Sequence, residues 1–204
     1  MCAIRHLGEQ NHWAKCTDFS NALHAPLMFV LPPHLRAMPA SFLTMPVEAV
    51  SLFPTLVDLA DLPGLPRCPP PSNPASDKVK LCADGLSLAP LLLHPNGEAL
   101  SAEHQALVNG SLPAFSQWAG AHAMGYTLVT TRFRYTEWVN HTTALTPNWT
   151  SLVASELYDH DHDPHEAVNV VDDPAQATIV GSLSRQLHAA RGATQSVEGV
   201  HSPQ

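Results

Sequence analysis

The sequence has 204 residues, of which 45% are apolar and 14% charged, so it can bury a core of ordinary domain size and is not a disordered tail. Eighteen acidic against ten basic residues give a net charge of −8, which leaves no broad basic surface for phosphate backbones and argues against nucleic acid as a partner. Apolar runs such as residues 25–31 and 86–93 fall well short of the roughly 18–20 residues that a membrane span requires.

Fifteen of the 19 prolines precede residue 114, so the first half is expected to run through loops and short elements. Residues 5–24 read as a polar, histidine-containing segment that feeds an apolar strand over residues 26–31, stopped by Pro32-Pro33. Residues 51–60 read as a short core helix. Ser51 is its expected cap, Pro54 falls in the first turn, and Leu52, Leu56 and Leu59 share one face. Residues 61–121 are expected to be mostly loop.

From Tyr126 the texture changes. Residues 126–131 and 134–139 are rich in β-branched and aromatic side chains around Arg132-Phe133, the pattern of a β-hairpin. Glu156-Leu-Tyr158 continues as a strand into a turn-forming acidic run, Asp159-His-Asp-His-Asp-Pro-His-Glu166. Asp173-Pro174 then supplies a cap and first-turn pair, and Ile179, Leu183 and Leu187 recur every four residues, so an amphipathic helix is expected to about Ala190. The tail, residues 191–204, has little to bury and is expected to be disordered.

Cys68 and Cys82 bracket a proline-rich loop, and closing such a loop constrains the unfolded chain by about 3 kcal/mol. A Cys68 to Cys82 disulfide is the expected pairing; two buried free thiols are the alternative, since four cysteines allow three full pairings. Three glycosylation sequons, at Asn109, Asn140 and Asn148, lean towards an exported glycoprotein. The first residues, however, lack the apolar run of a signal peptide.

Three groups invite a chemical reading. The 159–166 run holds metal-ligand residue types, but an exposed turn of Asp, His and Pro is more simply solvated. Cys68, set before three prolines with no neighbouring base, has nothing to make it a nucleophile. Lys15, beside Trp13 and ahead of an apolar strand, would suit an anion such as sulfate or phosphate, though on its own it reads as a surface lysine.

The segment from Leu7-Gly-Glu9 through Trp13-Ala-Lys15, Asp18-Phe19 and His24-Ala-Pro-Leu27 resembles the sulfatase family. The likeness continues in order through Val50-Ser-Leu-Phe-Pro-Thr-Leu56, the Cys68 and Cys82 loop, Met124-Gly-Tyr126, Arg134-Tyr-Thr-Glu-Trp-Val139, and Glu156-Leu-Tyr158 followed by Asp163-Pro164. The cysteine loop and the hairpin single out the iduronate branch, and the match is to the C-terminal portion of such enzymes.

The resemblance implies part of an alkaline-phosphatase-like α/β fold. Residues 1–60 would form the end of the catalytic domain and residues 61–190 a smaller α+β subdomain with an antiparallel sheet and a packed C-terminal helix. It also implies a lysosomal or secretory setting and a sulfated glycosaminoglycan, heparan or dermatan sulfate, as substrate. Family enzymes attack sulfur with a hydrated formylglycine, while calcium and basic residues hold the sulfate. Carried over by position, Lys15 matches the sulfate-contacting lysine and His24 the histidine before the Pro-Leu strand. Arg132 and Arg134 would share a hairpin face and meet an anionic glycan.

The resemblance breaks at the chemistry. Where the family has an Asp-His pair of metal and sulfate contacts, this sequence has Cys2 and Ala3; His6 is out of register, and Gln10-Asn11 replaces His-Gly. The formylglycine signature, Cys-x-Pro-Ser-Arg, is absent, since Cys68-Pro-Pro-Pro-Ser72 lacks its spacing. The expectation is therefore a chain with one sulfate contact, no nucleophile and no metal site of its own, inactive without the N-terminal part of a sulfatase. Two rivals are a non-catalytic isoform that binds sulfated glycan or a partner, and a small metal-binding protein using the 159–166 run.

Overall fold

The computed structural model describes residues 6–14, 17–35, 42–69, 78–79, 81–94, 100–120, 122–140 and 147–191. Its centre is a four-stranded antiparallel meander of β3 (Ala114–Ala119), β4 (Ala123–Val129), β5 (Phe133–Asn140) and β6 (Leu152–Asp159), in that spatial order. The expected hairpin is β4–β5, in register with Leu128 opposite Tyr135 and Val129 opposite Arg134. Strand β3 was not legible, because Ala-Phe-Ser-Gln-Trp-Ala carries no β-branched residue and owes its conformation to pairing with β4.

Side-chain alternation gives this sheet two different faces. Tyr126, Leu128, Tyr135, Val139 and Leu157 form the apolar face, which packs with Leu183 and Leu187 of α5 (Ala177–Arg191) into the main core. The Asp173 side chain accepts the Ala175 N–H at 2.9 Å and Pro174 opens the turn leading into α5, as expected from the sequence. The opposite face carries Thr127, Arg134, Thr136 and Glu156, and it is polar yet buried or nearly so.

That polar face is covered by the start of the chain. A two-residue ladder joins β1 (His6–Leu7) to β2 (Trp13–Ala14), and α1 (Ser20–Leu23) follows, with Asp18 buried just before it. The division expected at residue 60 thus falls between segments that touch, Asp18 bonding Ser116 and Ser20 bonding Glu166.

A second, smaller core gathers Leu88 and Leu91 near α3 (Ala89–Leu93) with Leu107 of α4 (Ala102–Val108), packed by Phe29, Met45 and Val47. Cys68 and Cys82 are bonded, with Cα atoms 4.9 Å apart, and Cys68 N–H donates to Ala83 O at 3.1 Å. Gly85 sits where a Cβ would lie 2.2 Å from Val50 O, so only glycine permits this approach to the start of α2 (Leu52–Leu59).

Three expectations need correction. Ser51 does not cap α2: it lies in a preceding 3-10 turn with helical dihedrals and makes no side-chain cap bond. Nor does the leucine face of α2 reach the core, since Leu56 is 57% exposed while Thr55 is fully buried. The Thr55 hydroxyl donates to Ser51 O at 2.6 Å and accepts the Leu88 N–H at 2.8 Å, so a polar bridge anchors the helix. Residues 26–31 form no strand. Among the described residues no strand pairs with them to complete a ladder.

Candidate functional site

Arg134 is fully buried at the centre of the polar face. Its Nε donates to Glu166 Oε1 at 2.8 Å, one terminal nitrogen to Thr136 Oγ1 at 2.7 Å, and the other to Glu156 Oε2 at 3.3 Å. The guanidinium carbon lies over the rings of both Phe19 and Tyr158, 4.8 and 4.6 Å from their centroids. A charge so placed is tolerable only because hydrogen bonds and two carboxylates surround it.

Glu166 faces the other way as well. Its carboxylate accepts from the Ser20 hydroxyl at 2.6 Å, the Ser20 N–H at 2.9 Å and His160 Nε2 at 2.8 Å. Gln10 Nε2 donates to His165 O at 2.6 Å beside it. The β5 arginine therefore fastens the turn after β6, and that turn fastens both ends of the segment containing Gln10 and Ser20. Glu166 holds φ +53°, a backbone strain compensated by these four contacts.

The electrostatics follow from the same contacts. Burial pushes the Glu166 carboxyl up, but His160, Arg134 and Ser20 outweigh it and hold its pKa at about 2. Asp18 is the opposite case: burial raises its pKa to about 6, offset in part by the hydroxyls of Ser116 and Thr127 and by the charge of Arg134. Its Oδ2 is buried without a hydrogen bond, and a Cβ on Gly125 would lie 2.9 Å from that oxygen. Outside this cluster, Arg132 grips Asp159 with two bonds of 2.8 and 2.7 Å and holds its carboxyl well below the usual range.

These positions revise several readings. Arg134 does not meet a glycan, because its guanidinium is enclosed and committed to Glu166, Glu156 and Thr136. Arg132 is 44% exposed but already bound to Asp159 and Asp161, so neither hairpin arginine is a free cation. The 159–166 run is a turn exposed at Asp161, His162, Pro164 and His165, as expected, but its ends, Asp159 and Glu166, are buried and serve as acceptors for the two arginines. His24 is exposed, its N–H donating to Ser20 O at 2.8 Å at the end of α1. Lys15, Cys2 and Ala3 lie outside the described residues, as does the 192–204 tail.

Ser20 was not singled out from the sequence, Asp18 entered only through the family likeness, and Glu166 only as one of the 159–166 metal-ligand residue types. A signal that could have found them is an aromatic residue on each face of the hairpin, Tyr135 on one and Trp138 on the other, since it implies that both faces are covered. At the sequons, Asn109 Oδ1 accepts the Ser111 hydroxyl at 2.6 Å and Asn148 Oδ1 the Thr150 hydroxyl at 2.7 Å. Asn140 instead sits in β5, its Nδ2 donating to Ser151 Oγ at 2.7 Å.

Among the described residues no group of three or more His, Cys, Asp or Glu side chains is arranged to hold a metal ion. The Asp159 and Glu166 carboxylates are taken up by arginine, by Ser20 and by the imidazoles of His162 and His160. They do not fit the calcium site of a sulfatase. No helix among the described residues is long and apolar enough to cross a membrane.

An antiparallel sheet with a helix on one face and a polar, ion-paired seam on the other makes this a mixed α/β protein built to hold its first segment in place. No family model matches the chain. It is 31% identical over 214 residues to iduronate 2-sulfatase of Mus musculus, across 87% of this chain and 38% of that protein. To iduronate 2-sulfatase of Homo sapiens it is 33% identical over 207 residues, across 82% of this chain and 36% of that one. The chain is similar to the iduronate 2-sulfatases over most of its length and spans a little over a third of theirs. Solved structures that overlap it include a protein described as a sulfatase from Bacteroides thetaiotaomicron, at 23% identity and TM-score 0.42 over 67% of this chain and 23% of that one. A phosphonate monoester hydrolase of Agrobacterium radiobacter overlaps 69% of this chain and 24% of its own, at 20% identity and TM-score 0.42.

Proposed function

We propose that this chain is the C-terminal part of a sulfuric ester hydrolase of the iduronate 2-sulfatase kind, acting on sulfated glycosaminoglycan in a lysosomal or secretory setting. The nucleophile and the calcium ligands belong to the N-terminal part of such an enzyme. The observation that carries the reading is the sequence relationship across 87% of the chain. In this reading Lys15 supplies an ammonium to the sulfate group. The Arg134, Glu166 and Ser20 network contributes indirectly, by fixing the backbone a few residues on. The division near residue 60 separates the end of the catalytic domain from a C-terminal subdomain. Glycans at Asn109 and Asn148 are compatible with that setting, since each side chain already forms the turn with its sequon hydroxyl.

Sulfate release from a 2-sulfated iduronate substrate tests the proposal. The chain alone is expected to release none. Joined to the part of mouse iduronate 2-sulfatase outside the matched segment, it should turn over, and Lys15→Ala should cut kcat/KM by about 100-fold, the loss of one charge-stabilising contact. Turnover by the isolated chain, or a joined protein that ignores Lys15→Ala, would refute it.

A further inference from the structure

The polar seam sets three carboxyl groups around one permanent cation. Arg134 donates to both Glu166 and Glu156, at 2.8 and 3.3 Å, and His160 adds a bond to Glu166. Asp18 has no cationic partner of this kind. It is 3% exposed, its Oδ1 accepts the Ser116 hydroxyl at 3.2 Å, and its Oδ2 is buried without a hydrogen bond, facing Gly125, where a Cβ would lie 2.9 Å away.

Strands β3 and β4 present no acidic or basic side chain to Asp18 and offer the hydroxyls of Ser116 and Thr127. β5 and β6 bring Arg134 and Glu156, opposed in sign, with Tyr158 beside Arg134. The turn after β6 brings Glu166 and His160, bound to each other and to Ser20, and on the segment of Asp18 itself His6 Nε2 lies 2.9 Å from Thr17 Oγ1. An ionised Asp18 thus adds a third negative charge beside a guanidinium already shared by two, with one oxygen neither solvated nor paired. The neutral acid avoids that cost, and burial accordingly raises this carboxyl to about 6.

The segment that carries Asp18 is held down by few contacts. Ser20 donates its N–H and hydroxyl to Glu166 at 2.9 and 2.6 Å, Asp18 bonds Ser116, and α1 is a four-residue helix with one buried side chain, Ala22. The sheet beneath has its main core on the far face, with α5, and residues 17–23 are no part of it. A segment anchored in this way can open while the core stays shut.

We propose that Asp18 is an acid-operated latch: protonated, it lets residues 17–23 lie closed over the polar sheet face, and ionised, it promotes their lifting while the sheet and α5 stay folded. Opening returns the carboxyl to water, so it is linked to loss of the proton. With the carboxyl moving from about 6 when closed to the ordinary 3.8 when open, the opening constant rises about 100-fold over the whole titration, about 10-fold of it between pH 5 and pH 8. The latch goes beyond the hydrolase activity proposed above and stands without it.

Amide exchange of the full chain, corrected for the intrinsic effect of pH, tests this at the Ser20 amide, which is bonded to Glu166, and at the Leu128 amide in the middle of the sheet. Ser20 is expected to open at least ~10-fold more readily than Leu128 at pH 8, and its opening constant to rise ~10-fold from pH 5 to pH 8. The rise should vanish in Asp18→Asn, whose amide imitates the neutral acid. In the parent chain the carbon-13 signal of the Asp18 carboxyl should titrate over the same pH range as the Ser20 opening, which decides the matter should Asp18→Asn not fold. The proposal is overturned if Ser20 and Leu128 exchange together at pH 8, since the seam then opens only with the whole domain. It is also overturned if the rise persists in Asp18→Asn, which would assign it to His6 or His160, or if the Asp18 carboxyl titrates outside the range of the opening.

Discussion

Arg134→Met is the substitution that probes the polar seam most directly. At 2.8 Å, in an effective dielectric of about 20, the gross attraction between Arg134 and Glu166 is about 6 kcal/mol, most of which offsets the desolvation of the two charges. Methionine keeps much of the volume and the contact with Phe19 and Tyr158, so the cost arises from what is left behind. Glu166 and Glu156 would remain near Asp18 with no cation among them, and a buried pair broken in this way costs about 3–5 kcal/mol. That is a large share of the 5–15 kcal/mol by which a domain is typically stable. Urea denaturation at pH 7, followed by tryptophan fluorescence, would measure it. Adding Glu166→Gln to Arg134→Met removes one orphaned charge, so the double variant should be more stable than the sum of the single losses by at least ~1.5 kcal/mol. Loss of less than about 1 kcal/mol in Arg134→Met, or additivity within ~0.5 kcal/mol, would refute the account of the seam as a coupled ionic network.

Two carboxyls set opposite pH limits on stability. Asp18 has its folded pKa raised from 3.8 to about 6, so its contribution is full below pH about 4 and is lost as pH rises through 6. Glu166 is lowered from 4.5 to about 2, so its contribution is present above pH 4.5 and lost as pH falls towards 2. The denaturation midpoint is therefore expected to peak near pH 4–5, and Asp18→Asn should gain up to ~3 kcal/mol at pH 8 and nothing at pH 4; a variant whose gain is the same at both would contradict the assignment. Replacing Cys68 and Cys82 by serine opens a loop of sequence separation 14 and should cost about 3 kcal/mol. Equal melting temperatures for the parent and the double serine variant, under oxidising conditions, would show that this bond does not restrain the unfolded chain.

Local chemistry decides part of this protein without help from the fold. The β4–β5 hairpin, the Asp173-Pro174 start of α5 and its Ile179, Leu183, Leu187 stripe were all readable, because alternation, caps and four-residue periodicity act between near neighbours. The family motifs and the paired cysteines were readable for the same reason, as residue types at fixed short spacing. What the sequence could not rank was the fate of polar residues, which depends on what covers them. Arg134 and Glu166 look like surface charges in one dimension; they are buried because residues 17–20 close over a sheet face 100 residues further on. Thr55 replaces the leucine stripe as the anchor of α2 because Leu88 presents an amide to it. Residues 26–31 read as a strand but remain unpaired, since a strand exists only with its neighbours. Long-range burial of charge, and the availability of a pairing partner, were decided by the tertiary structure alone.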